Sequence, residues 1–212
     1  QAEVTLFFAG LDEYSEAEGI DRKDMKIPEN QIEVFKDLIK VGRKVVLILH
    51  CGSSVELDWT EGASAILYMG LSGQAGASAC INLLTGKANP CGKLAETWWR
   101  KYEDCPTSDS ELFPGGEDEV VYREGLFSGY RAKTKNPPRY EFGYGLSYTK
   151  FEYENLRITE NEISFDIKNV GSLAGKEIAG IYYGKKDGKV KRPKRQLFAF
   201  INVYLKEGEE KE

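Results

Sequence analysis

Five consecutive apolar residues, Val45 to Leu49, stand between Lys44 and His50, and no element with one wet face can hold them. A strand in an antiparallel sheet alternates inside and outside, whereas a strand in a parallel sheet is buried on both faces and reads as a continuous apolar run. The stretch KVVLILH therefore calls for a covered parallel strand, and parallel neighbours need crossover helices between them. The flanking sequence supplies these. EVTLFFAG (3–10) reads as a strand closing at Gly10. IPENQIEVFKDLIKVG (27–42) reads as a helix, with Pro28 suited to its first turn, Ile32, Phe35, Leu38 and Ile39 on one stripe, and Gly42 placed to end it. ASAILYMG (63–70) is a third strand, and SGQAGASACINLLTG (72–86) a helix rich in small residues that stops at Gly86. This order is that of an α/β layer with a parallel sheet.

From about residue 100 the period changes. A polar, turn-rich stretch (101–125) and a Gly- and Tyr-dense strap, FSGYRAKTKNPPRYEFGYGLSY, lead to a region where Ile163, Phe165 and Ile167 alternate with Glu162, Ser164, Asp166 and Lys168. Two more strand-like runs, EIAGIYYG and RQLFAFINVYL, follow across turn segments. The expected fold class is α/β: a partial α/β sandwich with a mostly parallel sheet, then a partial antiparallel β-sandwich. About four strands are legible in that second part, fewer than the seven of a complete sandwich.

Charge excludes some partners. A formal charge of −5 argues against a nucleic-acid backbone, which needs a basic face. The basic run KKDGKVKRPKR (185–195) carries a D-G turn and a Pro, and reads as a charged hairpin edge. No stretch reaches the about eighteen apolar residues of a membrane span, so neither nucleic acid nor membrane is expected as a partner. The chain starts on strand-like sequence without a signal-peptide pattern. The four cysteines (Cys51, Cys80, Cys91, Cys105) show no C-x-x-C spacing and read as free thiols. Both point to a cytoplasmic location, with a secreted or periplasmic one left open.

The chemistry concentrates in GLDEYSEAEGIDR (10–22), where Asp12, Glu13, Glu16, Glu18 and Asp21 precede the first Arg. Residue types alone allow a solvated loop, a cation site or a working carboxyl group. Calcium is disfavoured: aligning Gly19 with the glycine of an EF-hand puts Tyr14 at the first acidic ligand. No metal or cofactor is expected. His50 stands at a strand end near Cys51, Ser53 and Ser54, but HCGSSVE is not a nucleophile elbow, and one His with scattered Cys gives no zinc pair. GLSGQAGAS (70–78) lacks the spacing of a phosphate loop and suits close helix packing. Trp59 and the pair Trp98–Trp99 could stack on a ligand or fill a core.

Several motifs together resemble glycoside hydrolase family 3 of the β-glucosidase type: AGLDEYSEAEGIDR, KVVLILHCGSSVELDW, GQAGASACINLLTGKANPCGKLAETW, YREGLFSGYR, EFGYGLSYTKFEY, and NVGSLAGKEIAGIYYG followed by RPKRQLFAF. The resemblance covers nearly the whole chain in order, and E-G-x-D-R and F-G-Y-G-L-S-Y-T are its most specific parts. It implies the later part of an α/β sandwich domain over 1–134, a strap over 135–150 and a truncated fibronectin type III-like domain over 151–212. It further implies a retaining β-glycosidase whose nucleophilic Asp lies on a barrel domain outside this sequence, so that the chain alone is inactive. Glu18, the Glu of E-G-x-D-R, is then the general acid/base. Asp21 and Arg22 are expected to form an ion pair that fixes the loop, while Asp12, Glu13 and Glu16 solvate it or raise the pKa of Glu18. Glu16 and Trp59 are the candidates for substrate contact. The implied partners are a β-glycoside and the barrel domain, in cis or as a separate chain; homo-oligomers are left open. The competing reading is a non-catalytic module that binds carbohydrate or packs against another domain.

Overall fold

The continuous apolar run is the middle strand of a three-stranded sheet in the computed structural model, which describes residues 2–185 and 187–212. Strands β1 (Val4–Gly10), β2 (Lys44–His50) and β3 (Ala65–Tyr68) lie side by side in that order, both pairs parallel. Val45, Leu47, Ile48 and Leu49 are sealed from solvent, as a run apolar at every position requires. Helix α1 (Glu29–Lys40) crosses from β1 to β2. Its stripe carries Phe35, which meets Phe7 of β1 edge-on at 5.8 Å and Trp59 at 5.0 Å between ring centroids.

Pro28 stands at the start of α1, and Gly42 lies just past its C-cap, Val41. The Arg43 N–H bonds to the Leu38 carbonyl and the Gly42 N–H to that of Ile39, the paired bonds of a Schellman stop. Gly42 has φ +74°, a conformation that a Cβ disfavours. Gly42→Ala is expected to lower stability by about 1 kcal/mol, read as a reduced denaturation midpoint at unchanged slope.

These elements belong to a compact unit made of the chain up to Gly76 together with Glu96–Phe142. A second unit combines Ala77–Ala95 with Gly143–Glu212. It holds all but the first residue of α2 (Gly76–Leu84) and five strands: β4 (Phe151–Ile158), β5 (Ile163–Asn169), β6 (Gly175–Tyr183), β7 (Gln196–Leu205) and β8 (Glu210–Lys211). One antiparallel sheet has the order β4-β5-β8 and the other pairs β6 with β7. The short β8, paired with Ile167 and Lys168, is a strand the alternation did not reveal, because Glu210 and Lys211 are both charged and carry no apolar period. The basic stretch connects the hairpin partners β6 and β7; Lys186 within it lies outside the described residues. A parallel sheet and antiparallel sheets in one chain is the fold class read from the sequence.

The second unit is knitted around two amides. Asn89 donates to the Ala174 carbonyl and accepts from the Ser147 hydroxyl and the Tyr148 N–H. Asn169 is fully buried. Its Oδ1 accepts from the Thr149 hydroxyl at 2.7 Å and the Gly171 N–H at 3.2 Å, and its Nδ2 donates to the carbonyls of Leu173 at 2.7 Å and Leu205 at 3.3 Å.

Candidate active site

The acidic stretch leaves the sheet at the carboxyl end of β1. Gly10 is tied to α1 by both atoms of the Gln31 amide, at 3.0 and 3.1 Å, and the Leu11 N–H bonds to the His50 carbonyl. Asp12 then accepts from the Ser15 N–H, and the Ser15 hydrogen bonds hold its carboxyl below the ordinary range. After this the chain makes a tight turn, with the Ile20 N–H on the Ala17 carbonyl at 3.3 Å. Glu18 and Gly19 are its corners. Gly19 has φ +78°, the sign that the third position of a type II turn demands. Glu18 is exposed at the tip.

Both flanks of the turn reach one segment, Gly52–Ser54, just beyond β2. On the near side Glu16 accepts the Gly52 N–H through Oε2 at 2.8 Å. On the far side Arg22 donates to the Ser53 hydroxyl at 2.6 Å and the Ser54 carbonyl at 3.0 Å. The carboxylate nearest Arg22 is that of Glu16, at 4.0 Å. The expected Asp21–Arg22 ion pair is therefore corrected: the guanidinium is turned to the Ser53 hydroxyl and the Ser54 carbonyl, and among the described residues Arg22 forms its ion pair with Glu16.

Behind Ser54 stands Glu96, which the motifs did not single out. Its Oε1 accepts the Ser54 N–H at 2.8 Å. Burial raises its pKa and the Glu16 charge adds to this, while the Ser54 bond and the Arg22 charge oppose it. The sequence signal was an acid set among Leu94, Ala95, Thr97, Trp98 and Trp99, a context in which a carboxylate needs a partner. Cys51 is sealed in the same region, its thiol pushed up to about 12 by burial and then by the charge of Glu16. That is the wrong direction for a nucleophile.

A groove of about 310 Å³ borders the turn, lined by Glu16, Ile20, Arg22, Met25, Tyr102 and Phe113 among others. Glu18 is not among its lining residues, so the groove is not this carboxyl group's own pocket. Trp59 donates its indole N–H to the Glu56 carbonyl and stands edge-on to Phe35; Trp98 and Trp99 are buried. His50 ends β2, with Nδ1 3.3 Å from the Ser72 hydroxyl and its ring stacked beside Phe8. Among the described residues no group of three or more His, Cys, Asp or Glu side chains could hold a metal ion, and no helix is long and apolar enough to cross a membrane.

Residues 1–148 match the family model described as the glycosyl hydrolase family 3 C-terminal domain. The chain is 41% identical over 220 residues to thermostable beta-glucosidase B of Acetivibrio thermocellus, covering 99% of this chain and 29% of that protein. It is 34% identical to an exo-alpha-(1->6)-L-arabinopyranosidase of Bifidobacterium breve, covering 99% of this chain and 28% of that one. The crystal structure of a family 3 beta-glucosidase from Bifidobacterium adolescentis superposes with a TM-score of 0.92 at 34% identity, over 98% of this chain and 32% of that one. The chain thus spans less than a third of the length of these relatives.

Proposed function

The chain belongs to glycoside hydrolase family 3, and we propose that it supplies the general acid/base, Glu18, to a retaining β-glycosidase whose nucleophile lies on a barrel domain. The observation that carries this reading is the turn itself: one exposed carboxyl group at the tip of a turn pinned on both flanks to the end of a buried strand. A retaining enzyme needs two carboxyl groups about 5 Å apart, and such a turn is suited to extend one of them towards a partner on another domain. In the first step the Glu18 proton passes to the glycosidic oxygen as the bond to the anomeric carbon breaks and the barrel carboxylate bonds to that carbon. In the second, Glu18, now ionised, takes a proton from water as the water oxygen displaces the carboxylate. Exposure of Val4, Leu6 and Phe8 at 45%, 47% and 59% favours further protein against β1, since a soluble surface rarely leaves an apolar row uncovered.

The division at residues 134 and 150, with a fibronectin type III-like domain beyond, belongs to the same reading; the change of period and the end of the family match at residue 148 favour a boundary near 150, whereas the compact units break at 142/143 and group Ala77–Ala95 with the antiparallel strands. The sugar is assigned only to the class of β-glycosides. A beta-glucosidase and an arabinopyranosidase resemble this chain over nearly its whole length, which favours a sugar-selective surface elsewhere.

The test is reconstitution. The chain alone is expected to hydrolyse no aryl or alkyl β-glucoside, and hydrolysis should appear when it is mixed with, or fused to, a barrel domain carrying the nucleophile. Sugar binding by the chain alone in calorimetry, with no hydrolysis in the mixture or the fusion, would instead support a non-catalytic module.

A further inference from the structure

We infer that Glu16 and Arg22 are positioning residues for Glu18, forming a clasp that ties both flanks of its turn to Gly52–Ser54, with Glu96 as the anchor behind it. The inference rests on the assignment of Glu18 as acid/base. A turn closed by one backbone bond, Ile20 to Ala17, is stiff within itself but free to swing about its flanks. Here neither flank is free. Glu16 holds the Gly52 N–H, and Arg22 holds two oxygens of the next two residues. The 4.0 Å approach of Arg22 to Glu16 links the two arms. Ser54 is in turn fixed by Glu96 through its own N–H. The segment they grip continues from β2, in which Val45, Leu47, Ile48 and Leu49 are sealed from solvent. The tip is thereby referred to the most deeply buried strand of the unit and not to its own loop.

A displacement of about 1 Å at a reacting group costs on the order of 100-fold in rate. In the enzyme assembled with its barrel, Glu16→Ala is expected to lower kcat/KM on alkyl β-glycosides by about 10- to 100-fold. Dinitrophenyl glycosides should lose far less, because their leaving group departs without a proton. Glu16→Gln, which keeps an oxygen for the Gly52 N–H, should recover much of the loss. Arg22→Lys, unable to reach both the Ser53 hydroxyl and the Ser54 carbonyl, should resemble Glu16→Ala. A merely structural role would lower both substrates together, in step with the melting temperature.

Equal losses on the two leaving-group classes, or no loss, in Glu16→Ala and Arg22→Lys overturn the inference. If Glu16→Ala does not fold, Arg22→Lys, which keeps the charge and removes only the two-point grip, carries the same comparison. Glu18→Gln separates the two ideas. If it shows no leaving-group discrimination, the acid/base assignment falls; if it does and the clasp variants do not, the clasp alone falls.

Discussion

Glu18→Gln in the assembled enzyme is expected to lower kcat/KM on alkyl and disaccharide β-glycosides by about 10²- to 10⁴-fold, the usual contribution of a positioned general acid. The amide keeps the size and some of the hydrogen bonding of the carboxyl group but has no proton to give. Substrate binding should therefore persist, and the damage should grow with the basicity of the leaving group. On activated aryl glycosides the first step needs little proton donation, so turnover becomes limited by the second. There the missing function is the base that activates water. Azide, a nucleophile that needs no base, should restore turnover and yield a glycosyl azide. The measurement is kcat/KM across a series of leaving groups, with and without azide. Full activity of Glu18→Gln on an unactivated disaccharide removes Glu18 from the mechanism.

The largest effect on stability is expected at Asn169. Replacing it with Ala strands two donors, the Thr149 hydroxyl and the Gly171 N–H, and two carbonyls, those of Leu173 and Leu205. Each unsatisfied buried group costs roughly 1–3 kcal/mol. Part of this is relieved by relaxation and water, so a net loss of about 3 kcal/mol is expected. Asn169→Asp separates polarity from size. At neutral pH its carboxylate would face two carbonyl oxygens with no proton between them, so folding favours the protonated form and raises its pKa. Stability should then be lowest at neutral pH and return as pH falls toward about 4, where a protonated oxygen can donate. Chemical denaturation at the two pH values checks this. An Asn169→Asp variant as stable as the parent at neutral pH would contradict the hydrogen-bond assignment.

What the sequence made legible was local. The β2 run, the stripe of α1, Pro28 at its start and Gly42 at its stop all follow from spacings of a few residues, and each is found in the structure. The grouping of Ala77–Ala95 with the antiparallel strands was not legible. It depends on pairs far apart in sequence, Asn89 with Ala174 and Lys93 with Glu177, and no local period encodes them. The site divides in the same way. Glu18 and Gly19 could be nominated from one motif, because the turn is made by the residues that spell it. The partners of Arg22 could not. Adjacency suggested Asp21, whereas the fold brings Glu16 and Ser53 to the guanidinium. Glu96 escaped notice because its partner is a backbone N–H, which leaves no mark in the composition.

The anchoring of the turn to the end of β2 also bears on how such a loop can change over generations. Its tip is located by two side chains and the strand behind them, while residues 11–15 bridge the gap from β1 with only local bonds among Asp12, Ser15 and Glu16 and one backbone tie at Leu11. Insertions or deletions in that bridge leave the mounting points untouched. A lineage could therefore reshape the surface between β1 and the turn without relocating Glu18.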